Sequence, residues 1–393
     1  MNPRLISPHN ALMFTRLYIH IPFCLRKCPY CSFASQEPSR GDLEGYDSIL
    51  LAEMGLAAQT FGAEMPLASV YFGGGTPSLL DPPQIGRLLE QAARLFGLGR
   101  EAEITLEANP GTVDQERLAA FRSAGVNRLS LGVQSFADPM LATLGRIHSA
   151  TEAREAFQAA RAAGFANIGI DLIHALPGQT LAQWRRELEQ ALALAPEHIS
   201  VYGLTLEEGT PFAAHYGDDS PLLPDEDCSA TMFEEADDLL TAADYEHYEI
   251  ANYALPGRRS DHNSGYWRRD GYLGLGAGAH SFLRTGYGVR FGNPASLDAY
   301  AGAIAQGRLP RRDEQHLTRQ DAIAEFMFLG LRMADGINSN EFRREFGVGV
   351  EEAFGREVSK LAALGLLETA GDRVRLTRRG MLLSNQVFEH FLP

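Results

Sequence analysis

From residue 16 to about residue 202, short runs of β-branched and aromatic residues alternate with longer stretches whose apolar positions repeat at helical spacing. The runs at 17–21, 69–72, 103–106, 128–133, 167–172 and 198–202 predict six strands. Helices are expected near 43–61, 83–96, 114–124, 151–163 and 181–194. Helices between successive strands imply a parallel sheet, and right-handed crossovers curl such a sheet toward a barrel or partial barrel.

After Tyr202 the alternation stops. Loops are expected at 207–227, a helix near 230–243, a strand at 248–253 and a glycine-rich stretch at 271–281. From about residue 308 helices dominate, at 321–333, 339–346 and 350–364. Two short strands about a turn at 370–372 and a last helix follow. Three helices with a two-stranded ribbon resemble a winged helix. The expected organisation is an N-terminal extension (1–15), a partial barrel (16–216), a connecting region (217–307) and a C-terminal unit (308–393).

Composition fits this picture. The 393 residues are 45% hydrophobic and 22% charged, as in ordinary globular proteins. A net charge of −15 gives no general attraction to nucleic acid or to an anionic membrane surface. No apolar run is long enough to cross a bilayer, and residues 1–16 lack a signal-peptide pattern, so a cytoplasmic location is expected.

Four cysteines are present, and Cys24, Cys28 and Cys31 form C-x3-C-x2-C directly after the first strand. Three thiolates suit three irons of a [4Fe–4S] cluster. The fourth iron is then open to the amino and carboxylate groups of S-adenosylmethionine. A zinc knuckle is the alternative, but structural zinc takes four ligands, and the nearby His20 lies within a strand. Parallel α/β sheets bind ligands beyond the carboxyl ends of their strands. Gly74, Gly75 and Thr76 follow strand two, Glu107 ends strand three, Gln134 ends strand four and Asp171 sits late in strand five. Glycines there let backbone approach a ligand closely, and Asp171 can accept from ribose hydroxyls.

The segments Tyr18-Ile-His-Ile-Pro-Phe-Cys24, Gly73-Gly-Gly-Thr-Pro77, Gly132-Val-Gln-Ser-Phe136, Ile170-Asp-Leu-Ile173 and Leu176-Pro-Gly-Gln-Thr180 carry a resemblance. They are similar to the oxygen-independent coproporphyrinogen III oxidase family of the radical S-adenosylmethionine superfamily. The resemblance implies a partial (β/α)6 TIM-like barrel with a C-terminal winged-helix-like domain. It implies that Tyr18, Gly74, Gly75, Thr76, Glu107, Gln134, Arg146 and Asp171 meet S-adenosylmethionine, with Tyr30 and Ser32 on its adenine side. His174-Ala175 stands where the family has Tyr-Gly; Ala175 is expected to change the backbone little, and His174 to lie at the pocket rim or as a satisfied loop histidine.

Two departures separate branches of the family. The decarboxylating oxidases have a fourth cysteine where this chain has Phe33, and a long N-terminal segment where 17 residues precede Tyr18. Both match the HemW-like haem chaperone branch, as does His262-Asn-Ser-Gly-Tyr266-Trp267, which resembles that branch's H-N-x-x-Y-W motif. The resemblance implies haem binding through His262, Tyr266 and Trp267, and delivery to haem-requiring proteins, membrane-associated ones included. Imidazole is a usual haem ligand, but a packed loop with a bonded His262 is the other reading of the motif. The runner-up function is a radical enzyme acting on a porphyrinogen side chain. A homodimer is left open. Arg343, Arg344, Arg373, Arg375, Arg378 and Arg379 give the C-terminal unit local positive charge, yet nucleic acid is not an expected partner of so acidic a chain.

Overall fold

The structure, a computed structural model, describes residues 13–61, 65–217 and 220–392. Residues 1–12 of the expected extension lie outside the described residues. Six parallel strands run side by side: β1 (Arg16–Ile21), β2 (Leu67–Gly74), β3 (Leu98–Ala108), β4 (Arg128–Gln134), β5 (Ile168–His174) and β6 (His198–Gly203). β1, β4 and β5 are buried along most of their length, as sheets covered on both faces require. The intervening helices start at side-chain caps. Asp114, Ser149 and Thr180 accept from the first-turn amides of Gln115–Ser123, Ala150–Ala162 and Leu181–Leu194. Leu88, Phe121, Phe157 and Trp184 from these helices share one core with Ile19, Phe72, Leu106 and Ile170 of the strands.

The sheet does not stop at six strands. Beyond β6 lie β7 (Glu246–Glu249) and β8 (Asn252–Ala254), with β8 antiparallel to β6 and β7 outermost. Beyond β1 lie β9 (Tyr272–Leu275), parallel to it, then antiparallel β10 (His280–Leu283), β11 (Val289–Gly292) and β12 (Arg312–His316). The one strand expected at 248–253 is therefore two strands about a tight reversal. Region 217–307 supplies partners for the free amides and carbonyls of β1 and β6, so it extends the barrel sheet on both sides. The C-terminal unit begins after β12.

That unit contains helix Arg319–Gly330, β13 (Ile337–Asn338), helices Ser339–Phe346 and Val350–Ala363, and the hairpin of β14 (Leu367–Ala370) and β15 (Arg373–Leu376). The strand order β13-β15-β14 and the element order are those of a winged helix. Met327, Phe342, Leu361, Val374 and Phe391 form its separate core. Residues 332–334 join it to the sheet: Ile250 donates to the Arg332 carbonyl (3.2 Å) and Ala334 to that of Tyr248 (2.9 Å). Among the described residues no helix is long and apolar enough to cross a membrane.

Candidate cofactor site

A cavity opens at the carboxyl ends of β1 to β6, lined by Cys24, Cys28 and Cys31 on one side. Tyr30, Ser32, Gly74, Gly75 and Thr76 line it with them, and Glu107, Gln134, Arg146 and Asp171 complete its wall. Its volume is about 450 Å³, within the usual range for small-molecule sites. Tyr18 lies one layer beneath: its hydroxyl meets His20 Nδ1 at 3.0 Å and its ring stacks on Tyr71 at 6.2 Å.

The cysteine loop is held at its base by backbone bonds. Cys24 N–H donates to Gln36 (3.0 Å), Gln36 N–H to Pro22 (2.8 Å) and Cys31 N–H to Cys28 (3.1 Å). The His20 imidazole meets the Ala34 carbonyl at 2.9 Å, and Lys27 donates to that of Phe33 at 3.2 Å. Two donors approach the sulfurs: Thr76 Oγ1 stands 3.6 Å from Cys24 Sγ, and Arg146 Nη1 3.6 Å from Cys28 Sγ. Hydrogen bonds to the sulfurs are among the features that tune a cysteine-held cluster. Burial pushes the Cys31 thiol up. Among the described residues no three His, Cys, Asp or Glu side chains converge on a point that would hold a single metal ion.

The glycine turn is packed against this loop. Gly74 has φ +112°, and a Cβ at Gly75 would stand 2.6 Å from the Phe23 carbonyl oxygen. The missing side chain at Gly75 thus makes room for the backbone leading into Cys24, a second use for a glycine that also lines the cavity.

Glu107 accepts from Tyr71 Oη (2.8 Å) and from the Gly74 amide (3.1 Å), and burial pushes its carboxyl up to about 7. Asp171 accepts from Ser130 Oγ at 3.1 Å, and burial raises it too. Gln134 adopts φ +67°, and its Oε1 and Arg146 Nε are buried without hydrogen-bond partners among the described residues. Buried polar atoms ordinarily have partners. Three thiols at the mouth, paired carboxylates behind and orphaned polar atoms in the wall fit a cluster with a zwitterionic, hydroxyl-bearing cofactor.

Residues 18–191 match the Radical SAM superfamily and residues 317–383 the HemN C-terminal domain. The chain is 38% identical over 375 residues to "Heme chaperone HemW" of Lactococcus lactis, covering 95% of this chain and 96% of that protein. It is 37% identical over 387 residues to the protein of the same name from Escherichia coli, covering 96% and 97%. The chain belongs to the HemW family. The structure of E. coli coproporphyrinogen III oxidase (HemN), a radical SAM enzyme, is similar with a TM-score of 0.82 at 25% identity, over 96% of this chain and 90% of that one.

The H-N-x-x-Y-W segment lies apart from the strand-end cavity of this HemW-family chain, on the short helix Asp261–Trp267. The surroundings of His262 are those of the packed-loop reading of the motif. The side chain is fully buried, with Nδ1 at 2.8 Å from Ser69 Oγ and Nε2 at 2.8 Å from Tyr266 Oη. Its ring packs on Tyr71 at 5.0 Å, and Glu103 of β3 accepts from its backbone amide at 3.0 Å. With both ring nitrogens bonded and no exposed surface, His262 packs against β2 beneath the wall of the strand-end cavity. Tyr266 turns inward with it; Trp267 lines a different cavity.

His174 is not at the pocket rim: it is buried, 5.5 Å from the Trp184 ring. Ala175 keeps a left-handed backbone at φ +58°, the conformation that suits glycine. Reading the sequence did not single out Tyr202, near the end of β6, or Thr205 and Glu207 just after it, which line the cavity; the strand-end rule, applied to the sixth strand, would have reached them. Half of the arginines named in the C-terminal unit stand within ion-pair distance of a carboxylate: Arg375 with Glu368, Arg378 with Asp237 and Asp238, and, at 3.8 Å, Arg344 with Glu341.

Proposed function

We propose that this chain is a haem chaperone, binding haem and passing it to haem-requiring proteins, and that it holds a [4Fe–4S] cluster and S-adenosylmethionine in the strand-end cavity. The observation that carries the reading is near full-length similarity to proteins named heme chaperones, 37–38% identical over 95–96% of this chain. It is joined by Phe33, a 65% exposed phenyl group where the oxidases have a thiol.

Cys24, Cys28 and Cys31 ligate three irons, and Arg146 and Thr76 stabilise two of the thiolates from 3.6 Å. When bound, the cluster supplies one-electron reduction beside the sulfonium of the cofactor. Gly74, Gly75 and Glu107 face its methionine end, where the carboxylate of Glu107 suits an ammonium. Asp171, set by Ser130, faces ribose hydroxyls, and the orphaned Gln134 carbonyl takes a further donor. Tyr30 and Ser32 cover the adenine.

The test uses the full chain after anaerobic reconstitution. About four irons per chain are expected, lost in Cys24→Ala, Cys28→Ala and Cys31→Ala and retained in Cys228→Ala. Haem should bind with or without the cluster, and coproporphyrinogen III should remain unconverted under reductant. Vinyl products would overturn the chaperone reading in favour of an oxidase.

A further inference from the structure

We infer that haem sits in a second cavity, between the end of helix Asp261–Trp267 and the C-terminal unit, with its carboxylates on Arg268, Arg344 and Arg373. This rests on the haem-binding reading and names the place and the contacts. The cavity measures about 580 Å³ and is separate from the cofactor site, sharing no lining residue with it.

The lining has two chemistries. Trp267 and Phe326 supply half-buried aromatic surface, with the buried side chains of Met333 and Ile337 behind them. The Trp267 indole N–H is buried without a partner among the described residues, and Arg332 lies 4.2 Å from its ring centre. Around this surface stand charges whose bookkeeping is uneven. Asp270 is engaged by Arg16 (2.9 Å), Asp335 by Arg259 (2.8 Å) and Glu345 by Arg269 (3.0 Å). Those carboxylates are neutralised by their own arginines. Arg268 makes no ion pair among the described residues, Arg373 only reaches the Asp335 carbonyl at 3.5 Å, and Arg344 stands 3.8 Å from Glu341. Arg268 and Arg373, without a carboxylate in ion-pair reach among the described residues, and Arg344, whose pair with the lining Glu341 is a loose 3.8 Å, therefore border this surface in a chain of net charge −15.

The ligand that satisfies both halves is a flat apolar body with two carboxylates at one edge. Guanidinium groups match carboxylates in bidentate geometry, and aromatic rings stack on such a body. Haem has that shape and those charges. Met333 is the one described lining side chain of a kind that commonly ligates haem iron. His262, placed by its motif near haem, is instead the anchor of the helix that presents Trp267.

The experiment titrates the full chain with ferric haem, followed by its Soret band, and measures S-adenosylmethionine binding to the reconstituted protein alongside. Arg344 and Arg373 are exposed, so Arg344→Glu/Arg373→Glu leaves the fold intact. It should weaken haem binding about tenfold or more, as loss of two charge-assisted contacts requires, with S-adenosylmethionine affinity unchanged. Met333→Leu should displace the Soret band. If the wild-type chain binds haem and these variants match it in affinity and spectrum, this location is overturned while the haem-binding reading stands. If the wild-type chain binds no haem, both fall together.

Discussion

Tyr71 donates its phenolic hydrogen to Glu107 Oε1 across 2.8 Å, from β2 to β3. The bond aims the carboxylate into the cofactor cavity and partly offsets the burial that pushes it up to about 7. Tyr71→Phe keeps the ring on His262 and removes the bond. The carboxyl should then titrate higher, and S-adenosylmethionine should bind about five- to tenfold more weakly at neutral pH, the worth of one hydrogen bond. Calorimetry on the reconstituted variant checks this; undiminished affinity would take Tyr71 out of the site.

A second buried carboxylate makes stability depend on pH. Glu53 of helix Arg40–Phe61 accepts from the Gly276 amide (2.8 Å), Asn293 Nδ2 (2.6 Å) and Tyr300 Oη (2.6 Å), yet burial still pushes it up to about 7. The fold therefore favours its protonated form. Its contribution is complete below the ordinary glutamic acid value of 4.5 and is lost as pH rises through about 7. Glu107 acts in the same direction. Denaturant midpoints should fall between pH 5 and pH 7, with a slope of up to about 1.4 kcal/mol per pH unit from each group. Glu53→Gln should be less stable overall but show a shallower slope; an unchanged slope would remove Glu53 as a contributor.

His262 joins Ser69, Tyr266 and Glu103 in one buried arrangement. His262→Ala should cost about 2–4 kcal/mol of stability through a cavity and two orphaned hydroxyls, with haem affinity retained. Loss of haem binding at unaltered stability would return the imidazole to the iron.

Ala175 bears a Cβ in a left-handed conformation at φ +58°, which costs roughly 1 kcal/mol. Ala175→Gly removes that strain and adds unfolded-state entropy. A net gain of about 0.5 kcal/mol is expected in urea unfolding, and destabilisation would show that the methyl group packs favourably.

The cofactor wall was legible because its residues sit at the ends of parallel strands, where position along the chain alone sets the side of the sheet. Cys24, Gly74, Glu107 and Asp171 needed no knowledge of distant contacts. His262 was not legible in that way. Its neighbours Ser69, Tyr71 and Glu103 lie on β2 and β3, and no local pattern says which side of a seven-residue helix meets them. The same holds for β9 to β12. They reach the sheet through β9, whose pairing with β1 joins segments some 250 residues apart, while their local sequence shows only glycines and short apolar runs. The C-terminal unit was readable as to its elements, since its helices and hairpin are bounded by local caps and turns. The polar β12, all five residues exposed, carries no strand-like alternation of its own.

The twelve-stranded sheet is open, and each of its two borders is a row of amides and carbonyls able to recruit another chain. At β12 all five residues are exposed, and they include Arg312, Asp313 and Glu314, charges that discourage a strand from another molecule. At β7 the protection is different: Met333 bridges Glu249 in antiparallel fashion, and the backbone of residues 332–334 engages the Tyr248 carbonyl and the Ile250 amide. The C-terminal unit therefore covers part of that border. A chain cut after His316 would lose the second protection and keep the first, and it should gather into insoluble assemblies growing from the β7 side alone.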